Sequence, residues 1–388
     1  MGSHIKRRIG DGLKGSASRP VWRYSISLAV ALISFAVLMS CGRSGKRPVA
    51  CDDGKYIFRF VVMGTEAELT IATTDRDEAQ RAADAARQAL DRVNGLMSDY
   101  NPASDIGRLN RSEPGKALAI DRATFDVLKN SVSFTARTDN AFDITYTPLR
   151  RLWRKCAERG SLPDEAELAA ARALIGTDKL LLDETACTAA LAAAGMEIDL
   201  GGIAKGYGVD LAADAMRRCG IKGGIVNVGG NMRLIGANPS GAGWRVGVLD
   251  PERPDEQGHF LTTIEARDAA VSTSGNYHRF FEIGGRRYSH IIDPRTGRPA
   301  DNVPSATVIA PDGMTADALS TAISVAGAKK GLELVESFDG VEALIIEKSE
   351  GTMKEYRSSG FAKFEAAEKK TLAHQADGGN ENMSGGKR

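Results

Sequence analysis

Three groups of residues in this sequence have the types and spacing of a reactive site. The first is the run Glu197-Ile-Asp199-Leu-Gly201-Gly202-Ile-Ala204-Lys205-Gly206-Tyr207-Gly-Val-Asp210. An apolar/acidic alternation over 196–200 has the period of a strand and breaks at the glycine pair. Helical spacing follows at Val209, Ala212, Ala213 and Met216, up to Cys219-Gly220. Glycines at 201 and 202 let backbone approach a ligand with no Cβ in the way, a helix N-terminus favours anions, and Lys205 adds a positive charge. Taken alone, the stretch is more simply a βα corner whose glycines serve packing, and its spacing fits neither the dinucleotide fingerprint nor the Walker lysine motif. The second group is Asp317 and Thr321, four residues apart at the start of a helix, so that both oxygens project from one face. Hard divalent cations take such oxygen ligands, and helix capping uses the same residue types. The third is His290, one of five histidines (4, 259, 278, 290 and 374), standing just before Asp293-Pro294. An unperturbed imidazole titrates near neutrality, as general-base chemistry prefers; a structural histidine bonded to a neighbouring loop is the alternative. Arg295 and Arg298 either contact phosphate or solvate their loop.

The elements that must carry these groups emerge from hydrophobic period and turn residues. Strands are expected at 56–63 and 67–72 about a Gly64-Thr65 turn. Asp75 and Glu78 have capping-box spacing for a helix whose apolar face is Ala79, Ala83, Ala86, Leu90, Val93 and Met97. The polar run Ser98-Asp99-Tyr100-Asn101-Pro102 then offers Tyr100 either as a stacking platform or as packing for its own helix. Asp121 caps a helix with Phe125, Leu128, Val132 and Thr135 on one side, and Ala141-Phe142-Asp143 leads from it through Pro148. Residues 161–194 read as a peripheral helix and short strands. A strand from Gly224 runs into a second glycine pair, Gly229-Gly230, before Asn231. Strands at 244–249 and 260–266 precede a hairpin, 279–283 and 286–291, turned by Gly284-Gly285, which delivers His290. The strand 306–310 leads to the helix of Asp317, which ends near Gly327; a further helix, a strand over 341–347 and a short hairpin close the fold.

The 388 residues carry 51 basic and 50 acidic side chains, so nothing predicts a nucleic-acid partner. The five cysteines, at 41, 51, 156, 187 and 219, have neither CxxC nor zinc-type spacing. At the amino end a basic region with Lys6, Arg7, Arg8, Lys14, Arg19 and Arg23 precedes an apolar run over 25–39, the size of a signal-peptide core. It ends in Leu38-Met39-Ser40-Cys41-Gly42, which resembles the lipobox of bacterial lipoproteins. That resemblance implies a leader over 1–40, a lipidated Cys41 as the new first residue, and a membrane-anchored protein on the periplasmic face of a bacterial cell envelope; an uncleaved membrane anchor with an incidental cysteine is the alternative, and either places the body of the protein outside the cytoplasm. Gly42 is not acidic and leaves the choice of membrane open. The expected organisation continues with a flexible tether over 41–54, one catalytic domain over 55–365, and a disordered Gly/Asn/Lys/Glu-rich tail over 366–388.

Taken together, the turns at 97–110, 141–149, 199–206, 225–230, 271–277, 290–299 and 315–321 resemble those of the ApbE family, the FAD:protein FMN transferases. Asp-Leu-Gly-Gly-Ile-Ala-Lys-Gly at 199–206 and Ser-His-Ile-Ile-Asp-Pro-Arg-Thr-Gly-Arg-Pro at 289–299 carry the resemblance most specifically. It implies an α/β (α+β), T-fold-like catalytic domain with mixed sheets and flanking helices. It also implies an enzyme that binds FAD and Mg²⁺, splits the pyrophosphate and attaches FMN to a Ser/Thr hydroxyl of an acceptor flavoprotein of the electron-transport class, releasing AMP. Carried over by motif, Asp317 and Thr321 bind the metal with a main-chain oxygen of Gly202. Met63 and Tyr100 flank the flavin, Ala141, Phe142, Asp143, Asp199, Lys205 and Ile292 line the FAD site, and His290 is the catalytic base. Where some relatives have a second acid, this chain has Ser320. A Mg²⁺-dependent FAD pyrophosphatase yielding FMN and AMP, and a periplasmic FAD-binding lipoprotein without turnover, are the competing readings; an Asp/Thr pair and a histidine base count against the last.

Overall fold

Alternating apolar strands and helices with a single apolar stripe must bury those surfaces against each other, and the chain does so around one large sheet. The computed structural model describes residues 49–51, 54–253, 256, 259–275 and 280–366. The expected leader, Cys41, most of the tether and the tail from residue 367 onward lie outside the described residues. The part of the expected tether that is described is not a free linker: β1 (Val49–Cys51) pairs antiparallel with β2 (Lys55–Val62).

The chain continues through β3 (Thr65–Ala72), α1 (Arg76–Met97), α2 (Asp105–Leu109), β4 (Leu118–Ala119), α3 (Arg122–Arg137), α4 (Thr147–Arg159) and α5 (Glu165–Arg172). Then come β5 (Leu180–Asp183), β6 (Thr188–Leu191), α6 (Ala204–Arg218), β7 (Gly223–Val228), β8 (Asn231–Gly236), β9 (Trp244–Leu249), β10 (Phe260–Ala266) and β11 (Ala270–Gly275). The hairpin β12 (Phe280–Ile283) and β13 (Arg286–Ser289), β14 (Ser305–Ala310), α7 (Gly313–Glu336), β15 (Glu342–Ser349) and β16 (Thr352–Arg357) complete it. The main sheet has nine strands in the order β1-β2-β3-β7-β8-β11-β14-β15-β16. Among the described residues every strand pairing is antiparallel, so the fold is the α+β form of the expectation.

Each face of the sheet has its own cover. Leu69, Ile71, Val226 and Val228 meet the alanine-rich stripe of α1 and Val209, Ala212, Ala213 and Met216 of α6. Ala270, Ala306, Val308 and Ile345 meet Ala316, Leu319, Ala322 and Ile323 of α7. On the opposite face Leu234, Val271, Ile309 and Leu344 pack against Trp244, Val246, Val248 and Ile264 of the β9–β10 ribbon. β14 is covered on both faces and every residue of it is buried, Ser305 and Thr307 included, the Thr307 hydroxyl bonding to that of Thr273 at 2.9 Å.

Two local expectations are corrected. Residues 196–200 belong to no strand: the side-chain amide of Asn110 donates to Ile198 O at 2.8 Å and accepts from Ile198 N at 2.7 Å, replacing a ladder partner. Asp75 does cap α1 by accepting from the Asp77 and Glu78 amides, but the Glu78 carboxylate turns to Thr73 Oγ1 at 2.5 Å, so the reciprocal half of the capping box is absent. The helix of Asp317 does break where expected, at Gly327 (φ 82°, ψ 170°).

The crossing of α6 and α7 is set by two glycines. A Cβ on Gly206 would lie 2.0 Å from Gly313 O, and a Cβ on Gly313 would lie 2.4 Å from Gly206 O. Only glycine at both positions permits that approach. Asp210 of α6 fastens it by accepting from the Gly313 amide at 2.8 Å and the Met314 amide at 3.1 Å, with Arg233 Nε at 3.4 Å. Burial pushes the Asp210 carboxyl up to about 6 despite these partners, so it is ionised at neutral pH and accepts both amides. Gly206→Ala is therefore expected to lower unfolding free energy by at least about 1–3 kcal/mol through overpacking. Gly95→Ala, on an exposed position of α1 with nothing near the added methyl, should instead raise it by about 0.5–1 kcal/mol. Urea denaturation of the two variants reads both signs.

Candidate active site

One cavity of about 840 Å³ opens where the β2–β3 turn, the end of α1, the 199–205 turn, the end of the β12–β13 hairpin and the start of α7 converge. Every described residue that the motifs carried over to the metal, FAD or base role lines it: Met63, Tyr100, Ala141, Phe142, Asp143, Asp199, Gly202, Lys205, His290, Ile292, Asp317 and Thr321.

Asp317 is 2% exposed, and its carboxylate is built into the α6–α7 crossing. Oδ2 accepts from the Gly206 amide at 3.0 Å, so the carboxylate faces the first turn of α6, where the helix dipole is positive and this amide has no partner within the helix. The Asn231 amide is assigned the orientation that satisfies both of its ends, its nitrogen donating to Asp317 Oδ1 at 3.0 Å and Ser272 Oγ at 2.7 Å and its oxygen accepting from Lys205 Nζ at 3.0 Å. Lys205 Nζ lies 3.3 and 3.4 Å from the two Asp317 oxygens and donates to Gly201 O at 2.9 Å. Ser320, fully buried, bonds to Asp317 O at 2.9 Å and to Ser274 at 2.8 Å, and so braces this turn of α7 from behind. A Cβ on Gly202 would come within 3.1 Å of Thr321 Oγ1 and 3.3 Å of the Phe142 ring. The glycine keeps that space open between the turn and α7. One buried carboxylate, one hydroxyl and nearby main-chain oxygens suit a hard divalent cation that takes its remaining ligands from substrate or water. Among the described residues no group of three or more His, Cys, Asp or Glu side chains could hold a metal.

Asp199 organises the other side of the turn. Its Oδ1 accepts from the Gly201 amide at 2.8 Å; its Oδ2 accepts from Tyr146 Oη at 3.0 Å and Arg150 Nη1 at 2.6 Å. Arg150 also donates to Asp99 at 2.7 Å, tying the Tyr100 loop to the Gly201-Gly202 turn. Burial, then the neighbouring Asp199 charge, holds the Tyr146 phenol well above its ordinary pKa, so it remains a donor. Sequence reasoning assigned no role to Arg150, Tyr146, Asp99 or Asn231. A signal for Arg150 existed: Tyr146, Leu149, Arg150 and Trp153 follow the i, i+3, i+4, i+7 spacing of a buried stripe, and an arginine there requires a partner.

Between these two charge groups lies an apolar wall. Met63 and Gly64 form the β2–β3 turn with φ of 51° and 71°, the paired left-handed geometry of a tight hairpin. A non-glycine residue held there costs about 1–3 kcal/mol, strain of a kind that concentrates at functional sites. Tyr100 stands 74% exposed at the rim, which leaves its ring free and removes the alternative of packing on its own helix. Phe142 is buried edge-on to Phe134 at 6.2 Å. Burial raises the Asp143 carboxyl, although Thr145 donates to it twice, at 2.6 and 2.8 Å. His290 follows β13, half-buried, and Ile292 is buried beside it. Arg295 pairs with Asp293 at 2.9 Å and Arg298 with Glu165; neither lines the cavity, so both brace the loop.

The model of the ApbE family matches residues 63–345. The chain belongs to the ApbE family. It is 37% identical over 278 residues to the FAD:protein FMN transferase of Vibrio cholerae, covering 71% of this chain and 82% of that protein. It is 31% identical over 312 residues to the enzyme of the same name from Escherichia coli K12, covering 79% and 88%. The structure is similar to that of the flavin transferase ApbE from Vibrio cholerae, with TM-score 0.70 and 32% identity over 80% of this chain and 99% of that one. The ApbE protein of Thermotoga maritima gives TM-score 0.72 and 33% identity over 81% and 100%. Family and fold therefore agree with the expectation drawn from the motifs.

Arg150 offers a direct test of the site's framework. Arg150→Ala leaves two largely buried carboxylates, Asp99 and Asp199, without their shared cation, and is expected to cost about 3 kcal/mol of stability. Lysine, a point charge, should not restore both bonds. Urea denaturation of Arg150→Ala and Arg150→Lys, with FAD affinity by flavin fluorescence, checks both statements.

Proposed function

We propose that this chain is a Mg²⁺-dependent FAD:protein FMN transferase that attaches FMN to a Thr or Ser hydroxyl of an acceptor flavoprotein and releases AMP. The observation that carries the reading is the convergence on one cavity, in a member of the ApbE family, of the Asp317–Thr321–Gly202 oxygen group, His290 and the Met63/Tyr100 wall. Asp317, Thr321 and the main-chain oxygen of Gly202 would hold the metal. When bound, Mg²⁺ neutralises charge on the pyrophosphate oxygens.

The chain's own residues divide the remaining work. Met63 and Tyr100 flank the isoalloxazine, Phe142 and Ile292 supply apolar contact, and Ala141, Asp143 and the Asp199 turn complete the FAD site. Lys205 contributes positive charge toward the phosphates. His290 takes the proton of the acceptor hydroxyl; its oxygen forms the new bond to the FMN phosphorus, the bond from that phosphorus to the bridging oxygen breaks, and AMP leaves. The acceptor is of the electron-transport class.

Purified protein incubated with FAD, Mg²⁺ and a candidate acceptor should add FMN to the acceptor mass and release AMP. Free FMN with unmodified acceptor would replace transfer by hydrolysis. His290→Ala should bind FAD nearly as wild type and lose about 10²–10⁴-fold in transfer rate, because a general base acts on the hydroxyl and not on the flavin. The wild-type pH–rate profile should show an ascending limb, as general-base catalysis requires the unprotonated imidazole, and that limb should vanish in the variant. A folded variant retaining more than about a tenth of the rate contradicts the base assignment.

The amino-terminal segment places the enzyme, in this reading, as a lipoprotein on the periplasmic face of a bacterial membrane. In this reading the anchor is the lipid carried by Cys41. Cys41→Ala should abolish incorporation of labelled fatty acid and leave the protein uncleaved or shed. Unchanged labelling would refute the assignment.

A further inference from the structure

Lys205 occupies an unusual position for a phosphate-binding lysine: its ammonium sits on the carboxylate that the transferase reading assigns to the metal. Nζ lies 3.3 Å from Asp317 Oδ1 and 3.4 Å from Oδ2, with Gly201 O at 2.9 Å and the Asn231 oxygen at 3.0 Å completing its shell. The side chain is 23% exposed and Asp317 only 3%, so the pair is poorly screened by solvent. Every partner of the ammonium is an oxygen, and three of the four oxygens belong to side chains that a divalent cation at Asp317 would meet or adjoin. Lysine carries a compact point charge on a flexible stem, whereas the Asp317 carboxylate is fixed by the Gly206 amide at 3.0 Å.

We propose that Lys205 is a tethered counter-ion that holds the Asp317 site in the metal-free enzyme and is displaced by the divalent cation, which delivers the ammonium to the diphosphate of the incoming substrate. This rests on the transferase reading and adds an order to it: metal first frees Lys205, and the freed ammonium then strengthens nucleotide binding. Two positive centres compete for one buried carboxylate, and the one on a four-carbon stem yields. The cavity wall supplies the destination, since Lys205 and Asp317 both face the same space as Gly201 and Gly202. Because coupling between sites is reciprocal, a diphosphate that captures the ammonium must in turn tighten the metal.

The test uses the whole protein, Mg²⁺ and ADP as an unreactive diphosphate. Lysine acylation by an N-hydroxysuccinimide acetate pulse, read by peptide mass spectrometry, should modify Lys205 several-fold faster after Mg²⁺ is added and should slow again when ADP is added next. Titration calorimetry of Lys205→Met should show Mg²⁺ binding tightened about tenfold in the absence of nucleotide, with ADP then enhancing Mg²⁺ affinity less than in wild type. Lys205 labelling indifferent to Mg²⁺, or a Lys205→Met variant that binds Mg²⁺ no more tightly than wild type, overturns the proposal. Labelling that rises with Mg²⁺ and is not slowed by ADP overturns delivery to the diphosphate. Asp317→Asn separates the two readings: if it leaves Mg²⁺ binding intact, the metal assignment itself fails, whatever Lys205 does.

Discussion

The close crossing of α6 and α7 is the constraint on which the site depends. Two glycines, Gly206 and Gly313, let the helices approach until backbone meets backbone, and Asp210 ties the amides that begin α7 to the flank of α6. That contact brings the Asp317 carboxylate against the Gly206 amide, and it sets Thr321, one turn further along, beside Gly202. A conventional pair of helices with side chains at the crossing would hold their axes about 8–10 Å apart and leave this carboxylate out of reach of the turn. Asn231 and Lys205 then fix its orientation from the strand side and the turn side.

The second half of the site is held by charge rather than by close packing. Arg150 joins Asp99 to Asp199, and so couples the loop bearing Tyr100 to the turn bearing Gly202. Buried ion pairs of this kind contribute little net stability over an apolar replacement, yet losing one member is costly. Their use here is geometric: they hold two loops at fixed separation across a cavity that must admit a large planar ring and a diphosphate. The left-handed Met63 and the exposed Tyr100 are consistent with that demand, since neither placement improves the fold on its own terms.

Much of this was legible in the sequence because the signals are local. The stripe of α1, the Val209–Met216 face of α6, the Gly284-Gly285 hairpin and the break at Gly327 each depend on residues within a few positions of one another. The groups that line the cavity could be named because their motifs are unusual and occur in order. What escaped depends on partners distant in the chain. Asn110 imitates a strand partner for Ile198 from 88 residues away, and no period in 196–200 could reveal that its ladder is a side chain. Asn231 reads as the end of a glycine turn until Asp317 and Lys205 stand beside it. Arg150 looks like one arginine among several on a basic helix, although its place on the buried stripe is a physical clue.

The carboxylate positioned by this crossing carries, in the proposed function, the divalent cation for FMN transfer. The most direct measurement is the initial rate of FMN attachment to an acceptor as a function of Mg²⁺ concentration, compared for wild type and Asp317→Ala, with FAD affinity measured in parallel. The account predicts a steep loss of rate that high Mg²⁺ restores only in part, while FAD binding weakens less, because much of the flavin's contact lies on the Met63, Tyr100 and Phe142 wall. A folded Asp317→Ala enzyme that turns over at the wild-type rate in limiting Mg²⁺ would contradict it, and would reduce Asp317 to a residue that merely secures the start of α7.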